Sequence, residues 1–308
     1  MKRPLHPRTY PTWAGIILLR LLSLLPYRTM MAIGSIIGLL ALSIMSSRKR
    51  IAEINLKLCF PQKSDKERSE LLTENFKSMG KGLMEVAIAW WWSDKRIKSL
   101  QIETSGLEHL NSSNGTIFLT AHFSSLELSA RLLGQHAKSY AMYRPHTNKV
   151  LQYHYEKYRS KYSLGIIPRD DVRSMVKALK NNKGIWFAPD QNFARKGFLF
   201  SSFFGIPAAT NPATSRFAEL TGADVVPFYL ARAKNGYWLS YEQRLTAFPS
   251  GSLQKDTDNI NSIFQRWVAK SPSQYNWIHR RFKTQPDHVS PPYLKPQKVR
   301  QKCSKEIS

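Results

Sequence analysis

The chain has 308 residues, with 46 Lys and Arg against 21 Asp and Glu, a formal charge of +25. Hydrophobic residues at 42% and aromatics at 12% supply a real core, which excludes a largely disordered chain. Two cysteines, Cys59 and Cys303, lie far apart with no Cys/His cluster near either. That excludes a disulfide framework and a thiolate zinc site and suits a reducing compartment. The positive charge calls for a polyanionic neighbour, whether nucleic acid, an anionic membrane or an acidic carrier.

At the amino terminus, residues 13–25 read WAGIILLRLLSLL and residues 30–45 read MMAIGSIIGLLALSIM. The second run has 16 residues without a charge, about 24 Å as a helix at ~1.5 Å per residue. A hydrocarbon core needs about 30 Å. Basic residues flank the region on both sides: Lys2, Arg3 and Arg8 before it, Arg48, Lys49 and Arg50 after. The apolar stretch is too long and starts too late for a cleaved signal peptide. Residues 1–50 are therefore expected to be an uncleaved anchor in an anionic bilayer, with the rest of the chain on the cytoplasmic side; a buried pair of core helices is the alternative.

Residues 55–69 read as a polar linker, and helical periodicity runs from Glu67 to Trp92. The closing Trp90, Trp91 and Trp92 suit either a packing plug or a headgroup boundary. Strand and helix signals then alternate. Strands are expected over 116–120, 138–143, 165–168, 184–188 and 223–232, with helices over 124–134, 148–162, 171–181 and 212–221. Asn235-Gly236 joins the last strand to a partner in a hairpin. The expected fold is α/β, a mostly parallel central sheet flanked by helices, over residues 51–285. Residues 286–308, rich in Pro and basic side chains, read as a flexible tail.

Open sheets of this kind place their sites beyond the carboxyl ends of the strands. After TIFLT stands Ala121-His122-Phe123-Ser124-Ser125-Leu126-Glu127. One reading pairs His122 with Glu127: the carboxylate fixes the imidazole tautomer and leaves the other nitrogen to take a proton. The other makes Ser124-x-x-Glu127 a helix capping box and His122 an ordinary loop residue. Asp170 and Asp171 precede VRSMVKALK and are expected to cap that helix. Residues 198–207 (FLFSSFFGIP) are too apolar for a routine loop and suit a core or an acyl-chain channel.

As HxxxxE, the segment His122 to Glu127 resembles the HX4D/E motif of the lysophospholipid acyltransferase superfamily. Collinear segments resemble one branch of it, the secondary lipid A acyltransferases of Gram-negative bacteria. They are Asn55 with Cys59-Phe60-Pro61, Tyr143-Arg144-Pro145 with Asn148, Ile167-Pro168-Arg169, and Ala188-Pro189-Asp190-Gln191 with Phe203-Phe204-Gly205 and Ala208-Ala209-Thr210. The series ends with residues 274–283 (QYNWIHRRFK). The one departure is Asn192-Phe193-Ala194, where relatives often carry an acidic residue.

The resemblance implies a glycerolipid acyltransferase-like fold. The implied reaction is acyl transfer from an acyl-carrier-protein thioester to a hydroxyl of a lipid A precursor, at the bacterial inner membrane; the alternatives are transfer to another glycolipid or glycerophospholipid, or a non-catalytic basic protein that binds membrane surfaces or nucleic acid. It makes His122 the base and Glu127 its orienting partner, and gives Arg144 and Asp190 substrate-binding roles. Ser124 and Ser125 are expected to cap the helix, since no GxSxG elbow is present. No cofactor, no metal and no nucleic-acid partner is implied; the expected partners are acyl carrier protein and the anionic membrane. The basic aromatic group Trp277, His279, Arg280 and Arg281 suits either contact with headgroup phosphates or closure of the domain, the second being the expectation.

Overall fold

The computed structural model describes Pro4 and residues 6–293. Lys2, Arg3, Cys303 and the part of the expected tail from residue 294 onward lie outside the described residues.

Two apolar helices open the chain, α1 (Tyr10–Leu22) and α2 (Tyr27–Ile44), broken at Pro26. A third, α3 (Ser46–Cys59), takes the first third of the stretch expected as linker. Asn55 lies inside it, fully buried, and donates to the carbonyls of Trp277 at 2.6 Å and His279 at 2.8 Å. The linker shrinks to residues 60–64, and Ser64 caps α4 (Asp65–Trp91) in a capping box with Glu67. Polar composition misled here because the helix spends its polar side chains on distant backbone.

The central sheet has seven strands in the order β1-β9-β8-β2-β5-β3-β4. These are β1 (Ile102–Ser105), β2 (Thr116–Leu119), β3 (Ser139–Tyr143), β4 (Gly165–Pro168), β5 (Gly184–Phe187), β8 (Asp224–Ala233) and β9 (Gly236–Tyr241). Every pairing is parallel except β8 with β9, which is antiparallel. All four residues of β2 and of β5 are buried, as strands covered on both faces must be. Ile117, Leu119, Ile185 and Phe187 join one core cluster with α3, the start of α4, α8 (Val172–Lys180), α9 (Ala213–Thr221) and α10 (Leu253–Lys270). Phe118 and Trp186 join the opposite one with α2, the end of α4 and α6 (Leu126–His136). Between β3 and β4 runs α7 (Lys149–Tyr162), and a short α5 (Asp94–Ile97) follows α4.

Three details depart from expectation. The β8–β9 hairpin turns on Lys234-Asn235, because Ala233 pairs with Gly236. Gly236 is needed for approach: a Cβ there would lie 2.0 Å from the carbonyl oxygen of Gln101, just before β1. Most of residues 198–207 falls in a second sheet, the hairpin β6 (Leu199–Phe203) and β7 (Ile206–Thr210). Phe204 and Gly205 make its turn at φ 54° and 78°, the positive pair that a two-residue hairpin loop demands. Phe203 is core, fully buried. The tail expected from residue 286 is still packed at Tyr293, whose hydroxyl bonds the Asn55 side chain and accepts from the Phe282 amide.

The three tryptophans are packing residues. Trp90 and Trp92 are each 3% exposed. Trp91 donates to the Tyr158 hydroxyl at 2.7 Å, and Trp92 to the Ser23 carbonyl at 2.8 Å. Residues 1–50 are likewise tied to the α/β unit. Met30 of α2 is fully buried, and Gly34 and Gly38 lie backbone to backbone against Gly80 and Phe76 of α4.

Candidate active site

Leu119 and Phe187, the last residues of β2 and β5, are register partners on adjacent parallel strands. Three residues beyond each stand His122 and Asp190, so the sheet delivers both to the same level above its carboxyl edge. Asp190 Oδ1 lies 2.6 Å from His122 Nδ1, and Asp190 Oδ2 accepts from the His122 backbone amide at 3.1 Å. Tyr275 completes the cage, its hydroxyl donating to Asp190 Oδ2 at 3.0 Å. Asp190 is 1% exposed, whereas the His122 side chain keeps 28% exposure. Burial alone would raise the Asp190 pKa. The facing imidazole and the hydrogen bonds from His122 and Tyr275 outweigh it and hold the carboxyl below its ordinary value. An ionised carboxylate can only accept, so the proton of the pair belongs on Nδ1 and the Nε2 lone pair is left for other work.

The loop is fixed from behind by the segment after α10. The Ser124 amide donates to the Gln274 carbonyl at 2.8 Å and the Asn276 amide to the His122 carbonyl at 3.0 Å. Ser124 and Ser125 do not cap α6. Ser125, at the N-cap position, makes no capping bond, and its hydroxyl donates to the Leu230 carbonyl at 3.1 Å. Ser124 Oγ lies 3.0 Å from Ser78 Oγ, and both hydroxyls accept from the Arg232 guanidinium, which also pairs with the fully buried Glu85.

Glu127 is not the partner of His122 Nδ1. The first turn of α6 turns its carboxylate toward α4 and α7, where it accepts from Trp90 Nε1 at 3.1 Å and from Arg159 Nη2 at 2.7 Å. Arg159 also donates through Nε to both carboxylate oxygens, at 3.2 Å each. Burial would lower the Arg159 pKa, but Glu127 more than compensates and raises it. The pair lines a small, partly open space beneath α6, walled also by Trp90, Tyr158, Tyr162 and Trp186. Asp190, expected to touch substrate, is buried with its carboxylate turned to the His122 imidazole. Arg144 is exposed immediately past β3. Asp171 caps α8, accepting from the Ser174 amide at 3.0 Å, whereas Asp170 pairs with Arg195.

Of the basic aromatic group, Trp277, His279 and Arg281 pack into the fold, whereas Arg280 is exposed. Arg281 is 2% exposed and donates to the Ala209 carbonyl at 2.9 Å and Thr210 Oγ1 at 2.7 Å. His279 Nε2 accepts from the Asn192 amide at 3.1 Å. Burial, only partly offset by Asp190, pushes its pKa down to about 4. Among the described residues no group of three His, Cys, Asp or Glu is placed to hold a metal. Tyr275, Arg159 and Arg232 carry no local sequence signal for these roles, because each partner is at least 32 residues away in the chain.

The family model for bacterial lipid A biosynthesis acyltransferases matches residues 1–284. The chain belongs to that family. It is 36% identical to the lipid A biosynthesis palmitoleoyltransferase of Escherichia coli K12, over 94% of this chain and 96% of the relative. Identity to the lipid A biosynthesis lauroyltransferase of the same organism is 35% over the same shares. The E. coli myristoyltransferase is more distant, at 26% over 93% of this chain and 91% of its own.

Proposed function

We propose that this acyltransferase moves a fatty acyl chain from acyl-carrier-protein thioester to a hydroxyl of a lipid A precursor, with His122 as general base. Membership of the family carries acyl transfer in lipid A biosynthesis; the donor, the base and the location are the proposal. The observation that carries it is the 2.6 Å contact of His122 Nδ1 with a buried, ionised Asp190. His122 Nε2 takes the proton as the acceptor oxygen attacks the thioester carbonyl. The carbon–sulfur bond then breaks, and the departing thiolate recovers that proton from the imidazolium. No covalent enzyme intermediate is required. General-base catalysis of this kind contributes roughly 10²–10⁴-fold.

Asp190 is the positioning residue for the imidazole. Glu127 acts at one remove, by holding Arg159 against the space beneath α6. Arg144, exposed at the same sheet edge, is the proposed contact for a phosphate of the lipid acceptor. The proposed location is the inner membrane with the α/β unit on the cytoplasmic side, supported by the apolar helix α2 and by basic residues about it that an anionic cytoplasmic leaflet attracts.

The test supplies membranes containing the protein with acyl-carrier-protein thioester and a lipid A precursor. Wild type is expected to form acylated product and His122→Ala to lose it. Equal product from both, or none from either with this donor, sinks the assignment. Mass spectrometry of lipid A from cells lacking the gene names the chain transferred.

A further inference from the structure

Of the sixteen exposed large hydrophobic side chains among the described residues, ten fall between Tyr10 and Met45. On α1 they include Ile17, Leu18 and Leu21, each more than half exposed, and on α2 Ile36, Leu40 and Ile44. Exposed apolar residues of α2 recur at Ala32, Ile36, Leu40 and Ile44, one stripe along most of the helix, flanked by exposed Leu39 and Ser43. The opposite stripe, Met30, Gly34 and Gly38, is sealed against α4.

That seal fixes how α2 can meet a bilayer. Gly34 lies against Gly80 and Lys81, Gly38 against Phe76 and Lys77, so the two helices run antiparallel in close backbone contact. Lys77, paired with Glu74 at 2.7 Å, and Lys81 therefore stand level with the middle of α2. A hydrocarbon core threaded by α2 from end to end would have to enclose them, and charges at that depth are rare and costly. Charge at the helix ends agrees. Exposed Arg20 and Arg28 lie near its start and exposed Arg48 and Lys49 beyond its end. A spanning helix concentrates its basic residues on one side of the membrane; one that lies along an anionic surface keeps them at both ends.

We infer that α1 and α2 lie in the plane of an anionic leaflet, apolar stripe down, and that α2 does not cross the bilayer. This rests on the proposed membrane location and fixes its geometry. The sealed stripe is the floor of the α/β unit, so docking α2 flat holds the whole catalytic unit against the lipid surface.

The test uses the full chain with Cys303→Ser, carrying a nitroxide at Ala32→Cys, Ile36→Cys, Leu40→Cys or Ile44→Cys, on vesicles of phosphatidylethanolamine and phosphatidylglycerol. Cys59 is buried and stays unlabelled. Flat docking places all four labels at one shallow depth in one leaflet. A spanning helix separates the first and last by about 18 Å in depth, twelve residues at ~1.5 Å each. That gradient overturns the inference while leaving the membrane location standing. Four labels all in water overturn both. Acyl transfer by the same variants reports separately on the catalytic proposal, since none of these positions belongs to the active site.

Discussion

Asp190 meets His122 because two neighbouring parallel strands end level, with Leu119 opposite Phe187 and each member of the pair three positions further on. Replacing the carboxylate with an amide keeps the shape but lets the side chain hold the wrong tautomer. Asp190→Asn is expected to lower kcat by about 10²-fold or more, with KM for both substrates little changed. Steady-state kinetics on membranes decide it; a variant of near wild-type kcat removes Asp190 from the mechanism.

Glu127 is expected to behave differently. Glu127→Ala leaves Arg159 charged and buried without its partner, at a cost of about 3–5 kcal/mol. Glu127→Gln keeps a bond to Trp90 and is milder. Because Glu127 does not touch the imidazole, Glu127→Gln should lower activity without moving the acid limb of the pH–rate profile, whereas Asp190→Asn should move it. A shifted limb in Glu127→Gln would restore the direct pairing of Glu127 with His122.

Arg232 ties the His122 loop to α4 through Ser78, Ser124 and Glu85. Arg232→Met strands Glu85 at full burial and should destabilise the protein by about 3–5 kcal/mol. Adding Glu85→Gln should recover much of that, because an amide can be buried with the hydroxyl of Tyr237, now 2.8 Å from Glu85. Denaturation midpoints of the single and double variants in detergent measure the recovery; additive losses would show that the pair does not act as a unit.

His279 gives the stability a pH dependence. Its folded pKa is depressed to about 4, while the unfolded chain protonates near 6.5. Between those values the unfolded state binds the extra proton, so stability falls as pH drops from about 6.5 toward 4. His279→Gln should flatten denaturation midpoints across that window. A slope unchanged by the substitution would place the titration elsewhere.

The formal charge of +25 should speed encounter with an acidic carrier protein. Raising ionic strength is expected to raise KM for the carrier thioester, while sedimentation of the protein with membranes changes less. A KM indifferent to salt would show that steering is not what the charge does.

The alternation of strands and helices was legible because its signals are local. TIFL and GIWF announce strands buried on both faces, and Asn148 and Asp171 cap the helices they precede. What could not be read was strand order. Without knowing that β5 lies beside β2, the nearest carboxylate to His122 in the chain is Glu127, and proximity in sequence stood in for proximity in space. The helix supplies the other half of the error. It carries Glu127 in its first turn toward Trp90 and Arg159, partners 37 and 32 residues away. The β6–β7 hairpin was hidden for a different reason: its turn places a phenylalanine at positive φ, where glycine or asparagine would have advertised it.

The His122 loop is laced to residues 274–276 by backbone bonds from Ser124 and Asn276, and Tyr275 closes over Asp190. A polypeptide ending before those residues would possess His122 and Asp190 yet lack the clasp that aligns them.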